Sequence, residues 1–215
     1  MLRMNPVVES SRQAPRRLIL YVEGPQDRAI LRAWAYRLLP SMGRRLFDAS
    51  VILGGCRPKR AVEHFRSAGG LDAGLVGVCV LDRDNGSQPP LADSGAPGLE
   101  LFTWGRRHIE SYLLVPAAIQ RTLRRIPDGD PRILRAIEAA LPGCVDEAAY
   151  GQIDAKRLLG PNGELPRIVG QPIFVQRVAR ATRVEELHPD VHRLFDRLRE
   201  GLGISGPRAW GPLPS

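Results

Sequence analysis

Residues 74–86 read GLVGVCVLDRDNG, a near-continuous apolar run that ends abruptly in Asp82-Arg83-Asp84. A short run of this kind, bounded by Gly74 and by acid, fits a strand covered on both faces, as strands of a parallel sheet are. Upstream, RLILYVEG (17–24) is a second such run, closing in Glu23-Gly24. ASVILGG (49–55) and LELFTWG (99–105) complete a set of four. The segments between them carry helical periodicity. PQDRAILRAWAYRLL (25–39) has Pro25 suited to a first turn, with Ile30, Leu31, Trp34 and Leu38 on one face. KRAVEHFRSAG (59–69) is a second amphipathic helix. Strand–helix alternation predicts an α/β fold with a parallel, right-handed sheet of about four strands.

Beyond the fourth strand the pattern changes. HIESYLLVPAAIQRTLRRI (108–126) reads as a helix broken at Pro116. From 127 onward the strand signal fades; 130–141, 171–182 and 188–202 read as helices and GPNGELP (160–166) as a loop. The expected organisation is a mobile lead over 1–16, an α/β core over 17–126, a helical extension over 127–203 and a loosely held tail over 204–215. No run approaches a membrane span and no signal-type apolar segment opens the chain, so a cytoplasmic protein is expected.

The formal net charge is +8, carried almost wholly by arginine. That excess suits a polyanion partner, since each cation set against a phosphate releases a condensed counterion; it equally suits a composition enriched in Arg, Gly, Pro and Ala for reasons unrelated to binding. Cys56, Cys79 and Cys144 are widely spaced and odd in number, so neither a zinc site nor a disulfide framework is indicated. Cys79, inside the third strand, reads as a small core residue.

The acids stand out against this basic background. In an open parallel sheet the functional edge lies at the carboxyl ends of the strands. Glu23 closes the first strand, Asp82 the third, Asp84 lies two residues on, and Glu110 follows the fourth. Asp27 sits one helical turn beyond Glu23. All five carboxylates are therefore expected along one rim. Bare, they would repel and raise one another's pKa; Mg²⁺ or Mn²⁺, one ion or two, would reverse that, because hard cations take oxygen ligands. Two such ions can serve both oxygens of a phosphodiester displacement.

VEGPQD followed by LDRD resembles the Toprim pattern, a Glu-Gly after the first strand and a D-x-D after a later one. The longer segments LYVEGPQDRAIL, VLDRD and RRHIESYLL resemble the OLD (overcoming lysogenization defect) branch of Toprim nucleases over roughly 17–116, and DAKRLLG (154–160) extends the likeness weakly. This implies a Toprim-type Rossmann-like sheet and a metal-dependent nuclease acting on DNA, RNA not excluded, in antiviral defence. Glu23, Asp27, Asp82, Asp84 and Glu110 are implied as metal ligands or their supports, and Lys156 as the cation opposing phosphate or transition-state charge. Gly86 stands where a strand-passing topoisomerase would carry a third acid, which argues against that activity. Members of the OLD branch usually carry an ATPase domain, whereas this sequence has no G-x-x-x-x-G-K-[ST] loop. A stand-alone protein, one with a separate ATPase partner, and an excised domain are all compatible, as is a homodimer. A structured-RNA endoribonuclease of the small Toprim type and a non-catalytic module docking an ATPase are the rival readings.

Several residues have two readings. Gly24, Gly54 and Gly55 allow a backbone to approach a phosphate, and Arg57 and Lys59 could hold it; the alternative is a plain strand-to-helix turn. Arg106 and Arg107 could grip a nucleic-acid backbone or pair with acids of the cluster. His108 is a possible proton carrier or a packed core histidine. Tyr112 reads as a core anchor whose hydroxyl finds a partner. Lys156 is either catalytic or a solvated helix lysine.

Overall fold

The computed structural model describes residues 17–40, 43–83, 94–123, 130–143 and 146–204. The lead over 1–16, Asp84, Cys144 and the tail beyond 204 lie outside the described residues. Four strands form one sheet: β1 (Arg17–Val22), β2 (Val51–Ile52), β3 (Leu75–Leu81) and β4 (Leu99–Thr103), ordered β2-β1-β3-β4 with every pair parallel. Between them lie α1 (Pro25–Leu38), α2 (Gly43–Asp48) and α3 (Pro58–Ser67). After β4 the chain is helical: a 3-10 turn over Ile109–Leu113, then α4 (Pro116–Arg121), α5 (Pro131–Ala139), α6 (Glu147–Gln152), α7 (Ala155–Leu159), α8 (Glu164–Val169), α9 (Val175–Ala181) and α10 (Pro189–Gly201). This is the expected α/β sheet with a helical extension.

Strand alternation sorts the core into two layers. Leu20 and Val22 of β1 and Val78 and Val80 of β3 face one side, where they join Trp34 and Leu38 of α1 and Leu194, Phe195 and Leu198 of α10. Tyr21, Cys79, Leu81 and Leu99 face the other, against Ala61 and Phe65 of α3. The extension is thus not an appendage: its helices supply a large part of one face's core, down to Leu198. Burial on both sides explains why β3 lacks polar alternation.

Two expectations change in detail. The segment 108–126 is not a single interrupted helix. Pro116 opens α4 as a first-turn residue, and the stretch before it coils as the 3-10 turn with all five of its residues buried. The expected loop 160–166 gives way at Glu164 to α8. Gly163 precedes that helix, where an added Cβ would stand 2.2 Å from the Leu158 carbonyl oxygen.

The chain leaves β1 towards β2 on one side and returns to β3 on the other, so the order reverses between β1 and β3. The carboxyl ends of those two strands therefore flank a topological switch point, where open sheets leave a crevice. Among the described residues no helix is long and apolar enough to cross a membrane.

Candidate functional site

Glu23 and Asp82 immediately follow β1 and β3, which are hydrogen-bonded neighbours, and their pairing brings the two residues side by side. The Asp82 backbone N–H donates to Glu23 Oε1 at 2.7 Å. Asp82 itself is 5% exposed. Its Oδ1 accepts from the Ile109 backbone N–H at 3.0 Å, which fixes the 3-10 turn against the strand end. Its Oδ2 accepts from Lys156 Nζ at 2.8 Å. Lys156 rides on α7, whose start is capped by the Asp154 carboxylate accepting from the Arg157 N–H.

The 3-10 turn carries Glu110 into the same place. It is 2% exposed; Oε1 accepts from Gln26 Nε2 at 2.6 Å, while Oε2 is buried with no hydrogen-bond partner among the described residues. A buried, half-satisfied carboxylate is costly unless a cation or proton compensates it. Asp27, on the first turn of α1, feels the same crowding. Burial, then the Asp82 charge, then Glu110 push its carboxyl up to about 6, against the opposing pull of its own backbone hydrogen bond and of Lys156. For Lys156, burial acts downward, but the Asp82 hydrogen bond and charge outweigh it and hold the ammonium above its ordinary value, with Glu110 and Asp27 adding. His108 is also buried beside the cluster; desolvation, then the Lys156 charge, depress its imidazole, favouring the neutral form.

Glu23, Asp27, Asp82, Glu110 and Lys156 thus come together from four separate segments of chain, while Asp84 is not among the described residues. The donor chemistry fits a hard divalent cation: carboxylate oxygens, one of them orphaned, with surplus negative charge that raises a neighbour's pKa. The arrangement is nonetheless not a finished cage. Among the described residues no three His, Cys, Asp or Glu side chains are set to hold one ion together. The reason is visible in the bonding: Lys156 and Ile109 take both Asp82 oxygens, and Glu23 is turned onto the Asp82 N–H. An ion bound by Asp82 would displace Lys156 from Oδ2.

The residues expected at a phosphate divide. Gly54 and Gly55 both have positive φ, but their N–H groups donate to the Glu23 carbonyl at 2.9 and 3.0 Å. Their conformation serves the strand-to-helix turn and steadies Glu23, and those donors do not face a ligand. Gly24 is tight for a different reason, since an added Cβ would come 3.0 Å from Asp27 Oδ2. Arg57 and Lys59 are exposed at the start of α3. Arg106 points away from the cluster. It is 9% exposed, forks onto Glu147 at 2.8 and 2.7 Å, donates to the Ser111 carbonyl and lies over the Tyr112 and Tyr150 rings. Its expected grip on a nucleic-acid backbone is replaced by a structural role. Arg107 is nearer the rim, with Nη1 3.9 Å from Asp154 Oδ2. Tyr112 is the expected core anchor; its hydroxyl accepts from the Arg106 N–H and donates to Asp190.

Beside Glu110 and Lys156 opens a cleft of about 530 Å³, walled also by Gln26, Phe174, Arg177 and Arg180. These four were not singled out in the sequence. The only signal there is an aromatic followed by two arginines in FVQRVAR (174–180), a pattern shared by many amphipathic helices.

No protein-family model matches the chain, and no curated protein does. Among solved structures, the chain is similar to the C-terminal region of the Burkholderia pseudomallei OLD protein, with 18% identity and a TM-score of 0.49 over 87% of this chain and 98% of that one. It is also similar to the C-terminal region of the Xanthomonas campestris pv. campestris OLD protein in two crystals, phased with mercury and with iodine. Identities there are 19% and 17% and TM-scores 0.47 and 0.45, over 88% of this chain and 97% of each. The structural neighbours found, each matched over most of this chain, are C-terminal regions of OLD proteins.

Proposed function

We propose that the protein is a Mg²⁺- or Mn²⁺-dependent nuclease that cleaves or nicks DNA at the rim between β1 and β3. The observation that carries this reading is the convergence of acids at the ends of β1 and β3: Glu23 on the Asp82 N–H, Glu110 with a buried oxygen that has no hydrogen-bond partner among the described residues, and Asp27 pushed up by burial and like charge. Glu23, Asp82 and Glu110, with Asp27 and Asp84, would hold the ion or ions. A divalent cation there supplies the charge that polarises a phosphodiester and makes water a competent nucleophile near neutral pH. Lys156 has the complementary part. Released from Asp82, its ammonium is free to face the non-bridging phosphate oxygens, whose charge grows in the transition state. Gln26 holds Glu110 in place, and the buried Ile109 N–H fixes the Asp82 rotamer. His108, neutral and buried, is a proton acceptor within this shell. A role in antiviral defence and a separate ATPase partner belong to the same proposal and rest on the sequence motifs; a cytoplasmic setting belongs to it too and rests on the hydropathy of the sequence.

The rival is a non-catalytic module, and the Lys156–Asp82 bond favours it, since a permanent ion pair there leaves no cation site. Calorimetric titration with Mn²⁺, together with plasmid nicking in Mg²⁺, Mn²⁺ and EDTA, separates the two. The nuclease reading expects saturable Mn²⁺ binding and nicking that EDTA abolishes, both lost in Asp82→Asn. Nicking unchanged in Asp82→Asn, or ion binding without cleavage of plasmid or folded RNA, with or without an ATPase partner, removes it.

A further inference from the structure

Among the described residues, the exposed large apolar side chains are Tyr36, Leu71 and Phe174, and of these Phe174 lines the cleft that holds Glu110 and Lys156. Phe174 is 54% exposed although its neighbours Ile173 and Val178 are buried. Its helix is therefore anchored without it. The backbone carbonyl of Phe174 receives the first hydrogen bonds of α9, from Arg177 and Val178 N–H, and neither needs the ring. The Arg177 guanidinium lies 4.9 Å from the ring centroid, and Arg180, one turn on, lines the same cleft. A half-exposed aromatic ring with one cation against it and another beside it, within a cleft that reaches the carboxylate cluster, offers a planar apolar surface next to positive charge.

We propose that Phe174, with Arg177 and Arg180, is a stacking seat for an unpaired nucleobase, so that the site takes single-stranded or locally unpaired nucleic acid. This deepens the nuclease reading by naming its substrate class. Aromatic side chains stack on any exposed base face, and arginines track the backbone beside it. A base inside a duplex offers no free face and must first be unstacked, at a cost of a few kcal/mol. The arginines also answer an electrostatic need: Asp82, Glu110 and Asp27 repel a phosphate, and Lys156 alone is bonded to Asp82.

The test is binding in EDTA, so that no cleavage occurs. Fluorescence anisotropy is recorded for short oligothymidylate, oligouridylate and a duplex of equal length, with wild type, Phe174→Ala and Phe174→Trp. Phe174→Ala is expected to weaken oligothymidylate about 5- to 100-fold while leaving the duplex within about twofold. Phe174→Trp is expected to restore affinity, and its indole emission, measured above the background of the three native tryptophans, to be quenched by the oligonucleotide. Equal losses for single strand and duplex, or no loss for either, overturn the seat. A Phe174-dependent loss confined to oligouridylate would assign it to RNA. Metal-supported plasmid nicking is scored separately: its absence alongside Phe174-dependent binding fells the nuclease reading and leaves the seat standing, and the converse pattern does the reverse.

Discussion

Asp27 and Lys156 are opposite answers to one crowded rim. Lys156 is held charged by Asp82, whereas Asp27 is pushed up to about 6 by burial and by the like charges of Asp82 and Glu110. The consequence for stability has a definite sign. An acid whose folded pKa lies above its unfolded value, here 3.8, binds more protons folded than unfolded between the two. Stability therefore falls as pH rises from about 4 to about 6, and the penalty stays in full above that. The ceiling is roughly 3 kcal/mol, from a two-unit shift at about 1.4 kcal/mol per unit. Asp27→Asn is expected to raise Tm by several degrees at pH 8, with the difference from wild type vanishing near pH 3.5. Thermal melts without added metal, taken across that range, check it; a constant difference would mean that Asp27 is not the strained group. Lys156→Met behaves differently. It leaves the Asp82 carboxylate, whose side chain is 2% exposed, with Ile109 as its remaining hydrogen-bond partner among the described residues, so the cost approaches the roughly 3–5 kcal/mol of an uncompensated buried charge. Nicking is expected to fall far more than that loss of stability explains, which parallel melts and cleavage assays on the same preparation measure.

At the scale of elements, β3 is the spine of the fold and Gly77 its tightest point. A Cβ there would stand 2.6 Å from Leu99 Cδ1 and 3.2 Å from the Phe65 ring, in the layer where α3 and β4 close on the strand. Gly77→Ala is expected to cost about 1–3 kcal/mol by overpacking, read from urea denaturation midpoints at unchanged m-value. The strand that makes this close approach was legible as β3 because its residues are apolar on both faces, and Glu23 and Asp82 were legible because they end such runs. The sheet order was not written locally: nothing in ASVILGG says that it pairs with β1 rather than β3. Arg106 and Arg107 show the same limit for side chains. Adjacent and chemically identical, they part company because Glu147, forty residues on, claims the first. Gly54 and Gly55 left two readings open for a similar reason: their conformation suits a phosphate loop or a plain turn alike, and only the structure shows that their donors go to the Glu23 carbonyl. Lys156 was marked in the sequence only by the weak DAKRLLG likeness, since a lysine on a short helix carries little local signal; the packing of α7 against the 3-10 turn brings it to Asp82.

At the scale of the whole molecule, a net charge of +8 is compatible with two physical pictures that make different predictions. If the arginine excess acts as a diffuse field, each exposed arginine contributes similarly to nucleic-acid binding, wherever it lies. If binding is local to the cleft, only the cations that wall it and are not held by the acids matter: Arg177 and Arg180, since in EDTA Lys156 stays bonded to Asp82. Two cations set against a single strand release counterions with a slope of roughly −1.4 in a plot of log affinity against log salt, at about 0.7 per phosphate neutralised. Removing both, in Arg177→Gln/Arg180→Gln, is expected to flatten that slope to about 0. Arg132, exposed on α5 and not part of the cleft wall, is the control: Arg132→Gln lowers the net charge yet is expected to leave the slope unchanged. Oligothymidylate binding in EDTA across a salt series reads the slopes of wild type, Arg177→Gln, Arg177→Gln/Arg180→Gln and Arg132→Gln. A slope that follows total charge, falling as much for Arg132→Gln as for Arg177→Gln alone, would show that the strand is held by the surface at large and that the rim between β1 and β3 does not select it.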